Sequence, residues 1–171
     1  MRLGTFFEQG GTAFYRPAIN NNGAAGHGLL DPEGGADGGG AYGTPAYNPY
    51  SSAHIINFEW LQHEAGANKI FPASADLKDA VGRTVVTSYV VKRPDGNWSL
   101  MLINHDLNAA HPVRLIIDDA KHVSHSFMGS VALVQYCNTP AENKNITIPA
   151  APDGVYALPA GSITVIRGKL R

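Results

Sequence analysis

Residues 90–106, VVKRPDGNWSLMLINHD, close a hydrophobic run on Asn104-His105-Asp106. An amide, an imidazole and a carboxylate side by side have the chemistry of a proton relay, in which a carboxylate orients a histidine that acts as general base. Their spacing argues against it. Successive side chains on a strand point to opposite faces, so three consecutive residues cannot converge on one reacting atom. They also stand where the strand runs into HDLNAAHP, and Asp106 and Asn108 are residue types that bond their own backbone in turns. The triplet reads as a structural junction.

Seven histidines invite a metal. His122 and His125 are three apart in KHVSHSF, a helical spacing in a segment without a helical pattern, and no cysteine or carboxylate stands near them at ligand spacing. His54 and His63 are nine apart, about 180° around a helix. The expectation is no metal and no cofactor. Glycoside hydrolysis needs two carboxyl groups, about 5–5.5 Å apart for retention or about 6.5–9.5 Å for inversion. Asp76, Asp79, Asp95, Asp118 and Asp119 fall in turns or at strand edges, and Glu59 lies within a helix, facing solvent or capping a contact. Glu8 follows an aromatic pair at an apparent strand end, where a barrel presents its working residues. It is the one carboxylate kept as a substrate-contact candidate, although Gln9 and Gly10-Gly11 equally suggest a turn. No second carboxylate pairs with it, so no catalytic residue is assigned.

The elements that would position these groups divide near residue 72. Before it, LGTFFEQGGTAFYRP predicts a buried strand and a turn, and residues 23–43 form a glycine-dominated loop with little to bury. No Gly-Lys-Ser/Thr follows that loop, so it is no phosphate cradle. SSAHIINFEWLQHEAG predicts a helix capped by Ser51 or Ser52, with Ile55, Phe58, Trp60 and Leu61 as its apolar face and Gly66 as its stop. One strand, one loop and one helix leave no second layer to pack on. After residue 72 come TVVTSYVVK, NWSLMLINHD, HPVRLIIDD, GSVALVQYC, NITIP, GVYALP and GSITVIRGKL, each bounded by Gly, Pro or Asn. In the first, Val85, Thr87, Tyr89 and Val91 alternate against Val86, Ser88 and Val90. Pro94-Asp95-Gly96 makes a hairpin turn, and Trp98, Leu100 and Leu102 alternate against Met101 and Ile103, which places Trp98 in the core. The fold class expected is mainly β: an antiparallel β-sandwich of about seven or eight strands over 73–171, preceded by a remnant over 1–72 that carries one helix.

Composition narrows the partners. Thirteen basic and fourteen acidic residues give a net charge of −1, which offers no field for nucleic acid or an anionic membrane. No run approaches the ~18 apolar residues of a membrane span. Charged residues are 16%, against a typical ~25%, and the 19 glycines suit a loop-rich, β-rich protein of the kind often found outside the cell. The single cysteine, Cys137, forbids an internal disulfide and reads as a buried, inert thiol. MRLGTFFEQGG lacks the apolar centre of a signal peptide, so an extracellular or periplasmic location would need a signal elsewhere.

Two stretches carry a resemblance. FPASADLKDAVGRTVVTSYVVKRPDGNWSLMLINHDLNAAHPVRLII and the closing YALPAGSITVIRG resemble the C-terminal β-sandwich of clan-A glycoside hydrolases, most of all family 39-like and arabinofuranosidase-like bacterial members. GTFFEQGGTAFYRP, the loop and SSAHIINFEWLQHEAG are similar to the eighth strand, following loop and last helix of the (β/α)8 barrel. The resemblance implies an accessory sandwich whose partners are a catalytic barrel and carbohydrate, hydrolysing O-glycosidic bonds in polysaccharide. The family's acid/base and nucleophile glutamates sit on the fourth and seventh barrel strands, which have no counterpart here, so the chain by itself is expected to be inactive. Glu8 would then be at most a substrate-side residue. Tyr42 and Tyr47, with Tyr50, either line a sugar-binding rim or anchor the loop on the sandwich. The alternative function is a stand-alone carbohydrate-binding or structural β-sandwich.

Overall fold

The computed structural model describes residues 8–10, 54–62, 66–118, 123–137 and 139–171. The expected barrel strand, the glycine-rich loop with Tyr42 and Tyr47, the Ser51/Ser52 cap, His63, Asp119 and His122 lie outside the described residues. The chain is mainly β and antiparallel. Its strands are β1 (Lys69–Phe71), β2 (Val86–Lys92), β3 (Trp98–Asn104), β4 (His111–Arg114), β5 (Ile117–Asp118), β6 (Ser124–His125), β7 (Ser130–Tyr136), β8 (Lys144–Pro149), β9 (Val155–Leu158) and β10 (Ser162–Gly168). Six form one sheet in the order β1-β2-β3-β10-β7-β8, and β4-β9 and β5-β6 form two-stranded pairs.

All seven segments expected as strands are present. HPVRLIIDD splits in two, because the chain changes partner: β4 pairs with β9 and β5 with β6. Lys69–Phe71, which fall in the 1–72 stretch and are not among the seven expected strands, pair with Val90–Lys92 as the outer strand β1. The hairpin between β2 and β3 turns where expected. Gly96 sits at φ 75° and its N–H donates to Arg93 O at 2.9 Å, while Asp95 Oδ1 accepts from Asn97 N–H at 2.8 Å.

Alternation assigns the two faces of the large sheet. Tyr89, Val91, Met101, Ile103, Ile163, Val165 and Val134 pack together on one face. Val86, Leu102, Ile166, Val131 and Leu133 pack on the other against Tyr156 and Leu158 of β9, which makes the sandwich. Val85 departs from its expected face: it precedes the strand and packs on the β9 side beside Val86. Trp98 keeps phase with Leu102 but is only half-buried at the sheet end, where its ring lies 4.7 Å from Phe71. Two buried amides stitch the layers. Gln135 Nε2 donates to Ala157 O at 2.9 Å and to Thr164 Oγ1 at 3.1 Å, and Asn104 Nδ2 reaches across to Pro159 O at 2.8 Å.

The helix differs most from expectation. It is a short π-helix, Ile55–Trp60, closed by Leu61 N–H on Ile56 O at 2.9 Å. Winding with i→i+5 bonds brings Ile55 and Trp60 to the same side, where both are fully buried with Leu61. Phe58, expected on that face, is instead 65% exposed. Glu59, expected to face solvent or cap a contact, pins the helix to the sheet. Its carbonyl accepts from Arg93 Nη1 at 2.8 Å and Arg167 Nη1 at 2.9 Å, and its carboxylate meets Arg167 at 3.1 Å. A helix C-terminus carries unsatisfied carbonyls and partial negative charge, which two guanidinium groups neutralise.

Replacing Arg167 with Ala leaves the half-buried Glu59 carboxylate without its close cation. A loss of about 2 kcal/mol is expected. Thermal melting reads it as a fall of about 4–8 °C. Arg167→Lys, which keeps charge but loses the fork, recovers part of the difference.

Candidate functional site

The Asn104-His105-Asp106 junction assembles as a loop clasp. Asn104 ends β3, is buried, and donates through Nδ2 to Ala109 O at 2.9 Å as well as to Pro159 O. Its Oδ1 accepts from Asp106 N–H at 3.0 Å. Asp106 Oδ1 takes the N–H groups of Asn108 (2.9 Å) and Ala109 (3.1 Å), and Oδ2 stands 3.0 Å from His111 Nε2. Those backbone bonds first, and His111 second, hold the Asp106 carboxyl below its ordinary range. His105 points elsewhere, to Thr87 Oγ1 at 3.1 Å. Asn104 and Asp106 hold the β3–β4 connection and His105 turns to β2, so the three side chains do not converge, as alternation required.

Among the described residues no three histidine, cysteine or acidic side chains converge as a metal site. His125 Nδ1 is 2.6 Å from the Arg171 carbonyl. Cys137 is fully buried, and burial above all, with the Glu142 charge second, pushes its thiol up to about 11.

Glu8 is helical rather than at the strand end expected for it, and Gln9 and Gly10 form a turn, the latter at φ 88°. It is exposed and lines a cleft of about 230 Å³ with Ala73–Ala75, Thr84 and residues Val86–Tyr89. Partial burial raises the Glu8 carboxyl above its ordinary value. Among the described residues no other acidic side chain lines that cleft. Glu59 is committed to Arg167 and His54, its Oε1 lying 3.8 Å from His54 Nε2. The structure therefore brings Glu8 to the edge of β2, beside Thr87 and Ser88, and among the described residues to no second carboxylate. Two features escaped the sequence reading. One is the Arg93–Glu59–Arg167 clamp, whose signal was available: Arg167 runs in phase with Ile163 and Val165, and a cation on a buried face needs an acid. The other is Ser88, whose role depends on a neighbouring segment far away in sequence.

The described residues define an antiparallel β-sandwich with the π-helix Ile55–Trp60 on its outer face. No protein-family model matches the chain, and no curated protein matches it. Among solved structures it is similar to a glycoside hydrolase family 30 endoxylanase from Clostridium papyrosolvens C71, at 20% identity and TM-score 0.49, covering 71% of this chain and 27% of that one. It is also similar to a Paenibacillus polymyxa xyloglucanase of family 44 (15% identity, TM-score 0.40, 53% of this chain and 17% of that one). A family 51 arabinofuranosidase from Xanthomonas axonopodis pv. citri follows, at 15% identity and TM-score 0.38, with 59% and 21% covered. These structural neighbours are glycoside hydrolases at low identity and partial coverage, and none of the three is of family 39. The chain spans about a quarter or less of their length.

Two measurements check the site's assignment. Asn104→Ala removes a buried amide that bonds the half-buried carbonyls of Ala109 and Pro159, and is expected to cost about 2 kcal/mol, whereas His105→Ala, at an exposed position, costs less than about 1 kcal/mol; urea melts of both variants give the comparison. The Cys137 thiol stays unreactive toward a disulfide reagent at pH 8 in the folded chain and reacts fully in denaturant.

Proposed function

We propose that this chain is the accessory β-sandwich of a glycoside hydrolase, packing against and steadying a catalytic (β/α)8 barrel that hydrolyses O-glycosidic bonds in polysaccharide. The domain division at residues 72/73, an extracellular or periplasmic setting, and sugar-side contacts from Glu8, Tyr42 and Tyr47 belong to the same reading. What supports it is a closed sandwich in which, among the described residues, the cleft beside Glu8 is lined by no second carboxylate. Either stereochemical course of glycoside hydrolysis takes two. The motifs at 84–106 and 156–168, which resemble the sandwich of clan-A hydrolases, fall on β2, β3, β9 and β10 and so build the frame of both layers.

The second reading, a stand-alone carbohydrate-binding module, draws on the half-buried Phe71–Trp98 pair at the sheet end. Lys92 Nζ already lies 5.7 Å over the Trp98 ring, which competes with a stacked sugar.

The purified 171-residue chain is expected to release no nitrophenol from aryl xylosides, arabinofuranosides or glucosides. Turnover that survives chromatography to homogeneity overturns the accessory role. Micromolar binding of arabinoxylan oligosaccharides would favour the stand-alone module.

A further inference from the structure

One end of the large sheet carries a row of side chains that strand pairing sets side by side. Lys69 of β1 stands directly opposite Lys92 of β2, and Lys92 directly opposite Trp98 of β3. Directly paired residues share a face, with Cβ atoms about 4.5–5.5 Å apart. By the two-residue period it is the face of Val86 and Leu102. The row lies about 20 Å along the strands from the end where Asn104 bonds the Pro159 carbonyl beyond β9. Both lysines are exposed, and the Phe71 and Trp98 rings are half-buried with centroids 4.7 Å apart. Lys92 Nζ lies 5.7 Å over the Trp98 ring, and neither ammonium meets a carboxylate among the described residues. Asp95, the acid of the adjoining hairpin, is turned to Arg93 at 3.4 Å. Like charges directly opposite each other on paired strands repel, so this pair favours an anion set between them.

We propose that this end of the sheet binds a uronic acid residue carried on a polysaccharide, with Lys69 and Lys92 holding its carboxylate and the Phe71–Trp98 rings receiving a C–H face of the sugar. Each half of that ligand answers one feature of the surface. A neutral sugar stacking on Trp98 competes with Lys92 and offers the ammonium nothing in return. A uronate draws the same ammonium off the ring into an ion pair, so the cation that opposes a neutral sugar recruits an acidic one. A small carboxylate satisfies the lysines and leaves the rings uncovered. The lysines are exposed at a sheet end, which suits one residue of a chain that runs on past the surface. Choosing a sugar over other ring-bearing anions rests on the carbohydrate reading above.

The test is an NMR titration of the 15N-labelled chain with glucuronate and with a glucuronate-bearing xylotriose, against xylose, acetate and adenosine monophosphate. Saturable shifts at residues 69–71, 90–92 and 98, the Trp98 indole N–H included, are expected with both acidic sugars at millimolar affinity. Glucuronate binds roughly 3- to 10-fold tighter than xylose, because exposed ion pairs are individually weak. Raising salt from about 20 to about 300 mM removes most of that difference. Lys69→Gln weakens glucuronate binding roughly 2- to 5-fold while the melting temperature holds or rises, since a like-charge pair is relieved. Lys92→Gln also weakens glucuronate binding, yet leaves xylose binding unchanged or tighter because the Trp98 ring is uncovered. The proposal is overturned if glucuronate gives no saturable shifts there, if acetate or adenosine monophosphate binds as tightly, if the substituted xylotriose leaves those amides unmoved, or if both lysine variants bind glucuronate unchanged. Turnover of aryl glycosides would sink the accessory role and leave this result standing, so the two fail separately.

Discussion

The central strands β3 and β10 are buried on both faces, and that constraint governs the rest of the chain. Along β3 every residue after Trp98 is buried, and along β10 every residue except Arg167. A strand of that kind needs cover above and below. The β4–β9 pair covers one side and the π-helix part of the other. Each buried aliphatic side chain contributes roughly 1.5–3 kcal/mol, so the layers are held by area first. Polar groups then decide how the covers sit.

Those polar groups share a pattern. Asn104 and Gln135 face the β9 layer and bond its carbonyls, so the amides that interrupt an apolar face are the ones that set the position of the second layer. On the opposite face Arg167 interrupts the apolar row and takes the end of the helix through Glu59. Each is an exception to the hydrophobic alternation, and each is paired. A half-buried guanidinium or a buried amide left alone would cost more than the apolar residue it displaces gains. Positional specificity comes from a handful of such bonds and stability from the aliphatic remainder.

The same reasoning separates frame from site. In the triplet that looked most like catalytic machinery, Asn104 and Asp106 bond backbone and His111, while His105 turns away to Thr87, so the three do not converge on a substrate. The cleft at the β2 edge is the reverse case, since a hydroxyl there is shielded and unpaired while a carboxylate stands at the rim. Satisfied capacity marks structure, and a shielded, unpaired hydroxyl marks a local cost that the frame carries.

The strands were readable from the chain itself because a strand's burial is a local pattern: alternation along TVVTSYVVK and NWSLMLINHD, with Pro94-Asp95-Gly96 between them, is enough to place both strands and their hairpin. The structural character of Asn104-His105-Asp106 followed from the same two-residue period. What escaped was whatever depends on partners distant along the chain. Phe58 left the buried face because the helix winds with π spacing, and Glu59 became a clamp because Arg93 and Arg167 arrive from two different strands. The cleft lies where the pairing of β1 with β2 has ended at Phe71 and contact resumes only at Leu77. Periodicity is encoded residue by residue and determines element and face, whereas the pairing of lone polar groups across 30 to 110 positions is decided only when the layers close.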